Sequence, residues 1–299
     1  MLFDRLAGDG WSVLGLGRTS ARSSSGAART VDIADRTDVR TMFDEWSPDV
    51  VFYLPAVHAS SDSATTESDD LLFERSIGVH AQYAVNFLEA ISNRGSGTAF
   101  FYAGSSHVFA GANADRQTED TPIVPESIYA ITKAAGIHAC RFYRSRKGVR
   151  ASVGILYNHE SHLRPDSFVS QRIVKAAIRA AGGDKCKLEL GDLSACVDWG
   201  YAPEYVEAMI LITELPDAND YIIATGQSHS VREFAESAFE CVGLDWRDHV
   251  VEHPSILSQR SRTLVGDYRR LHERTGWEPR ISFRGMIRKL IDQAGQHAH

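Results

Sequence analysis

The sequence has no paired cysteine spacing. Its four cysteines, Cys140, Cys186, Cys196 and Cys241, form no Cys-x-x-Cys unit. That excludes a zinc ribbon or a redox dithiol and leaves reduced core or surface thiols. A basic surplus is also missing. Lysine and arginine number 32 against 39 aspartates and glutamates, giving a formal net charge of -7. A long nucleic-acid groove is excluded on that balance, while a local basic pocket for phosphate is not. No apolar run approaches the length of a membrane span, and no basic flank followed by an apolar stretch opens the chain. The expectation is a cytoplasmic protein with neither membrane nor nucleic acid as partner. There is no internal repeat and no low-complexity tail, and His297 and His299 read as part of a frayed end, not as metal ligands. What the chain does have is apolar material, 43% of 299 residues, enough for a large core in one folding unit with two joined lobes.

Periodicity sets out the elements. Leu2, Phe3 and Leu6 share a helical face that Gly8 and Gly10 close, and Trp11 to Leu16 reads as a short buried strand. The Ser23–Gly26 run reads as a surface loop. Asp49-Val-Val-Phe-Tyr-Leu54 follows Pro48 as a continuous apolar run, the pattern of a parallel strand covered on both faces. Val79, Tyr83, Phe87 and Ile91, with Ala84 and Leu88, recur at helical spacing up to Gly95, and Thr98 to Tyr102 is a further buried strand. Strands alternating with helices predict a parallel α/β sheet. Near the end, Phe283, Met286, Ile287, Leu290 and Ile291 form one stripe of an amphipathic helix, with Ser282 placed to cap it.

Tyr129-Ala-Ile-Thr-Lys133 carries the chemistry. Residues four apart share a helix face, and an ammonium beside a phenol favours the phenolate. Such a tyrosine can take a proton from a sugar hydroxyl while hydride leaves the same carbon. The spacing also arises by chance on solvated helices, so its context decides. The strand Thr98–Tyr102 runs into Gly104-Ser105-Ser106, and the carboxyl ends of parallel strands are where open sheets bind ligands.

A strand-end serine followed by Tyr-x-x-x-Lys resembles the short-chain dehydrogenase/reductase arrangement, and Thr118–Pro122 and Pro125–Tyr129 resemble its extended branch. Longer blocks sharpen this. Gly154-Ile-Leu-Tyr-Asn-His-Glu-Ser161, Phe168-Val-Ser-Gln-Arg-Ile173, Asp198-Trp-Gly-Tyr-Ala202, Tyr221-Ile-Ile-Ala-Thr-Gly226 and Gly276-Trp-Glu-Pro279 are similar, in order, to segments of GDP-mannose 4,6-dehydratases. The resemblance implies a Rossmann-like doubly wound parallel sheet with a smaller α/β substrate-binding lobe. Residues 1–155 would bind NADP, residues 156–299 would mainly bind a nucleotide sugar, and the protein would be a homo-oligomer. It further implies Ser106, Tyr129 and Lys133 as catalytic residues. Arg18, Asp32, Ile33, Leu54 and Ala56 would meet the cofactor, with Arg18, assisted by Arg22, suited to the 2′-phosphate of NADP. Asn158 and Arg172 would meet the sugar diphosphate and nucleotide.

The sequence departs from that family at several places. The glycine-rich loop that joins the first strand to the first helix is not found, and the chain is expected to begin within the first helix. The other reading takes Gly15-Leu-Gly17-Arg-Thr-Ser20 as that loop, with Asp32 or Asp35 as the ribose acid. In Ser105-Ser-His-Val-Phe109, Val108 stands where dehydratases carry the glutamate that takes the C5 proton. His107 would replace it only from the wrong side of an extended strand. The Val108-Phe109 wording resembles 4-keto-sugar reductases. Val197 and Leu257–Arg260 replace two family arginine contacts, for which Arg260 or Arg262 would compensate. A reductase or epimerase, or a catalytically silent nucleotide-sugar-binding homologue, therefore stands beside the dehydratase reading.

Overall fold

The computed structural model describes residues 1–17, 21–24, 30–57, 67–95, 97–253 and 262–296. The first half contains α1 (Leu2–Gly8), β1 (Leu14–Leu16), β2 (Ala21–Ser23), α2 (Arg36–Trp46), β3 (Val50–Tyr53), α3 (Asp69–Ile77), α4 (Tyr83–Arg94), β4 (Ala99–Ser105), α5 (Ile128–Lys147) and β5 (Arg150–Leu156). The second half adds β6 (Asn158–Glu160), α6 (Val169–Ala181), β7 (Leu188–Leu190), β8 (Cys196–Val197), β9 (Trp199–Tyr201) and α7 (Ala202–Glu214). It continues with β10 (Asp220–Ile223), β11 (His229–Ser230), α8 (Val231–Cys241), β12 (Val250–Glu252), α9 (Arg269–Thr275) and α10 (Phe283–Gln296).

The central sheet has the order β10-β5-β4-β3 and is parallel throughout. In β4, Phe100 and Tyr102 enter the core formed with α2, α4 and α5, while Phe101 and Ala103 enter the core formed with α7 and α9. Every residue of β4 is buried. Helices thus cover both faces, as the continuous apolar strands predict. A third core belongs to the second lobe, where α6, α8 and α10 pack on the short pairs around β7 and β9. Met286, Ile287 and Leu290 of α10 are buried there, and the Gly285 N–H donates to the Ser282 hydroxyl at 3.2 Å. The predicted stripe and cap are both in place.

The start of the chain differs from the sequence expectation. β1 is three residues long and half-buried, Trp11 is exposed, and β1 pairs antiparallel with β2 through Leu14–Ser23 and Leu16–Ala21 instead of joining the parallel sheet. Three residues pair too few amides to hold a place in a central sheet, and a hairpin partner nearby in sequence is entropically cheaper to reach. Part of the expected serine loop is therefore strand. Of the alternative phosphate-binding turn Gly15–Ser20, residues 18–20 lie outside the described residues, and the element that follows is β2, not the helix which that reading requires. Arg18 lies outside the described residues, as do Leu257–Arg260, His297 and His299.

Two local features fix α5 against the sheet. Between α3 and α4 the helix widens into a π turn, Gly78–Gln82, which brings His80 inward. Gly136 of α5 faces that turn, and a Cβ there would lie 2.1 Å from the Tyr102 hydroxyl oxygen and 2.4 Å from the His80 carbonyl oxygen. Only glycine permits this approach.

Candidate active site

Ser127 caps α5, its hydroxyl accepting from the Ala130 N–H at 3.2 Å. This places Tyr129 in the first turn of α5 and Lys133 one turn later, beside the carboxyl ends of β3 and β4. The Lys133 ammonium is wholly enclosed. It donates to the Ala103 carbonyl at 2.9 Å and the Pro55 carbonyl at 3.3 Å, tying the two strand ends to the helix. Burial lowers its pKa from 10.5 to about 7.

Burial raises the Tyr129 pKa, and two groups oppose that shift: first a hydrogen bond with the Ser105 hydroxyl, then the positive charge of Arg164. The sequence pointed to Lys133 as the cation acting on the phenol. The structure gives Arg164 that influence, and Lys133 is engaged with backbone carbonyls. Likewise the hydroxyl at Tyr129 is that of Ser105, the last residue of β4. Ser106, the residue singled out from the sequence, is buried at the start of the short 3-10 turn Ser106–Phe109.

That turn changes the outcome for its neighbours. The chain stops being extended after Ser105, so strict alternation no longer assigns sides. Val108 is fully buried in the core. The His107 ring instead stands edge-on to the Tyr129 ring, with centroids 5.9 Å apart and planes at 83°. Its backbone N–H donates to the Ser105 hydroxyl at 3.3 Å. The residue keeps solvent-exposed surface, and the loss of water around its imidazole lowers its pKa.

His80 supports the arrangement from behind. The Val57 N–H donates to Nε2 at 2.8 Å, which assigns the ring proton to Nδ1, 2.8 Å from the Thr132 hydroxyl. Thr132 in turn donates to the Ile128 carbonyl at 2.8 Å. This chain joins the segment after β3 to the turn that carries Tyr129.

Asp32, Ile33, Leu54 and Ala56 line one cleft of about 1710 Å³, together with Gly15 and Gly17. Leu54 and Ala56 present exposed surface, and Asp32 accepts from the Ala34 N–H at 3.0 Å. Lys133 reaches the cleft wall through Pro55. The cleft runs along the edge of the sheet at β3, and neither Tyr129 nor Ser105 is in its lining. No glycine-rich turn leading into a helix N-terminus occurs among the described residues, so no residue is assigned to the pyrophosphate.

In the second lobe, Asn158 opens β6 and is half-buried. Arg172 of α6 donates to the Glu189 carbonyl at 2.6 Å. Asp198 takes four hydrogen bonds, from the Thr225 N–H and hydroxyl and from the Gly226 and Gly266 N–H groups, pinning the junction between the lobes. Arg262 donates to the Ala112 carbonyl. Arg164 lies between β6 and α6. It donates to the His159 carbonyl at 3.0 Å, pairs with the buried Glu160 at 3.3 Å and stacks on Phe168 at 3.9 Å.

A family model described as GDP-mannose 4,6 dehydratase matches residues 17–290. The chain belongs to the GDP-mannose 4,6-dehydratase family. GDP-mannose 4,6 dehydratase 1 of Arabidopsis thaliana is 35% identical over 267 residues, 88% of this chain and 72% of the relative. The GDP-mannose 4,6-dehydratase of Sinorhizobium fredii is 31% identical, covering 87% and 78%. Among solved structures, RMD from Pseudomonas aeruginosa complexed with NADPH superposes with a TM-score of 0.77 at 23% identity, covering 90% of this chain and 88% of the other. MoeE5 in complex with UDP-glucose and NAD gives 0.82 at 20% identity, covering 100% and 95%. These structures share the Rossmann-like fold of this chain. Ser105, His80 and Arg164 gather around the Tyr129 turn, and sequence reasoning did not single them out. Ser105 stood one position from the residue chosen. His80 and Arg164 carry no local signal, because they meet the Tyr129 turn only through the fold.

Proposed function

We propose that the protein is an NADP-dependent enzyme that modifies a nucleotide-linked sugar at C4, with GDP-mannose as substrate and a 4-keto-6-deoxy sugar as product. The observation that carries this is the strand-end cluster: the Tyr129 phenol bonded to Ser105 within the field of Arg164, on the helix whose Lys133 clasps the ends of β3 and β4. In this reading Tyr129 takes the proton of the C4 hydroxyl, Ser105 with Ser106 beside it orients that oxygen, and the Arg164 charge stabilises the phenolate. Lys133 holds the strand ends and the ribose of the cofactor. NADP, when bound, accepts and returns the C4 hydride. Asp32, Ile33, Leu54 and Ala56 serve the adenosine half, with Arg18 toward the 2′-phosphate. Asn158 and Arg172 serve the diphosphate and nucleotide. Residues 1–155 thus act mainly on the cofactor and 156–299 on the sugar, although β10 completes the sheet of the first half.

Leu71 and Phe73 on α3 and Ile131 and Phe142 on α5 expose apolar surface, which supports a homodimer through that helical face. No helix among the described residues is long and apolar enough to cross a membrane, and a cytoplasmic location fits the reaction. The burial of Val108 favours a second reading, a 4-keto-sugar reductase, which needs no base at C5. Two measurements test the proposal: NADPH titration by fluorescence, and product analysis after incubation with NADP and GDP-mannose. Water loss without net cofactor use is expected. NADPH consumption only with a keto sugar would establish the reductase instead, and ligand binding without turnover would establish a silent homologue.

A further inference from the structure

Resting on the functional reading above, we infer that His107 is the base and acid of the dehydration step, in place of the carboxylate that Val108 cannot supply. Elementary chemistry sets the requirement. Once C4 is a ketone, the hydrogen on C5 is acidified and the C6 hydroxyl stands β to the carbonyl. Elimination then needs one group beside C5 that removes that proton and can pass it to the departing hydroxyl. The tyrosine that serves the C4 oxygen marks where C5 lies, because the two carbons are one bond apart. The second group must therefore sit alongside Tyr129.

His107 is placed there. Its ring stands edge-on to Tyr129 at 5.9 Å between centroids, and the residue is exposed. The other titratable groups described nearby are committed elsewhere. His80 uses both ring nitrogens, toward Val57 and Thr132. His159 is half-buried, stacked on Tyr205 and bonded to the Tyr157 carbonyl. Glu160 is buried between Ser170 and Arg164. Lys133 holds two carbonyls. The protein around His107 lowers its pKa, which keeps the imidazole in its basic form at neutral pH.

The step balances without a further reactant. The imidazole takes the C5 proton, and the C5–H electron pair forms the C5–C6 double bond. The C6–O bond breaks, and the imidazolium gives its proton to the departing hydroxyl. One water leaves and His107 is neutral again; when hydride is returned at C6, C5 takes a proton from solvent, which is the source of the C5 deuterium measured below. The C4 ketone that makes this possible comes from the NADP-linked oxidation proposed above.

The test uses the full chain with NADP and GDP-mannose in deuterated water. Cofactor reduction reports C4 oxidation, and mass spectrometry reports loss of water and deuterium gained at C5. In His107→Ala and His107→Gln, C4 oxidation should fall far less than elimination. Their water loss and C5 exchange should fall about 100-fold or more. His107→Glu should recover part of the elimination, because a carboxylate can do the same work. Undiminished elimination in the alanine and glutamine variants would overturn the assignment. So would an equal loss of both steps, which is the mark of a merely structural residue. A wild-type protein that oxidises C4 but releases no water would refute the role of His107 and leave the C4 chemistry standing. A wild-type protein that binds both ligands and does neither would bring down the functional reading, and this inference with it.

Discussion

Lys133→Met offers a stability test that is independent of any ligand. An ordinary lysine titrates at 10.5 and the enclosed Lys133 at about 7. The unfolded chain therefore holds more protons than the folded one between those two pH values, and stability rises with pH across that window. Below about pH 7 the penalty on folding is fully present, and above the unfolded value it is gone. Removing the charge abolishes this dependence, so the stability advantage of the methionine variant over wild type should shrink by about 3 kcal/mol between pH 7 and pH 9.5. The absolute offset also contains the loss of two hydrogen bonds, to Ala103 and Pro55, but that offset does not change with pH. Urea unfolding of both proteins at a series of pH values reads the difference directly, because every other titrating group cancels. Parallel stability curves would refute the reasoning. They would mean that the ammonium is hydrated in the folded protein, or that its two carbonyl contacts compensate its burial.

Three further outcomes are expected. Gly136→Ala drives a Cβ into the Tyr102 hydroxyl and the His80 carbonyl, and should lower stability by roughly 1–3 kcal/mol in a calorimetric melt; an unchanged melt would mean that α5 can shift without cost. Val108→Glu places a carboxyl in the fully buried core position of Val108 and should destabilise by about 3 kcal/mol or more, so dehydratase activity should not rise in a product assay. Arg164→Gln removes a charge that holds the Tyr129 pKa down. The limb of the pH–rate profile that depends on the phenolate should move to higher pH, while Arg164→Lys should keep it close to wild type.

The sequence was most informative where one residue pattern meets one physical demand. The stripe of α10, the capping Ser282 and the continuous run of β4 all read correctly, because burial on one face or on both leaves a periodic trace. The start of the chain read less well. Trp11 to Leu16 is apolar enough for a buried strand, yet pairing partner and length decide where a strand goes, and neither is visible in composition. The site divides in the same way. Tyr129 and Lys133 are legible from spacing on one helix. His80 bonds Thr132 across 52 residues and Arg164 acts on Tyr129 from the other lobe, relations that no local pattern records.

The position of β4's last turn accounts for the remaining differences. Reading Ser106 and Val108 as the site-facing pair assumes that the strand continues and that the even positions face the substrate. A slip of one residue in a strand exchanges its two faces. In the structure both serines are buried, but it is Ser105 and His107 that meet Tyr129, while Val108 turns into the core. The turn begins at Ser106, where the Ser105 hydroxyl accepts from the His107 N–H and so holds the bend. One hydroxyl thus shapes the backbone that presents His107 and also bonds the phenol of Tyr129. A sequence that loses a carboxylate at position 108 need not lose the proton chemistry, provided that this bend sets an ionisable ring beside the tyrosine.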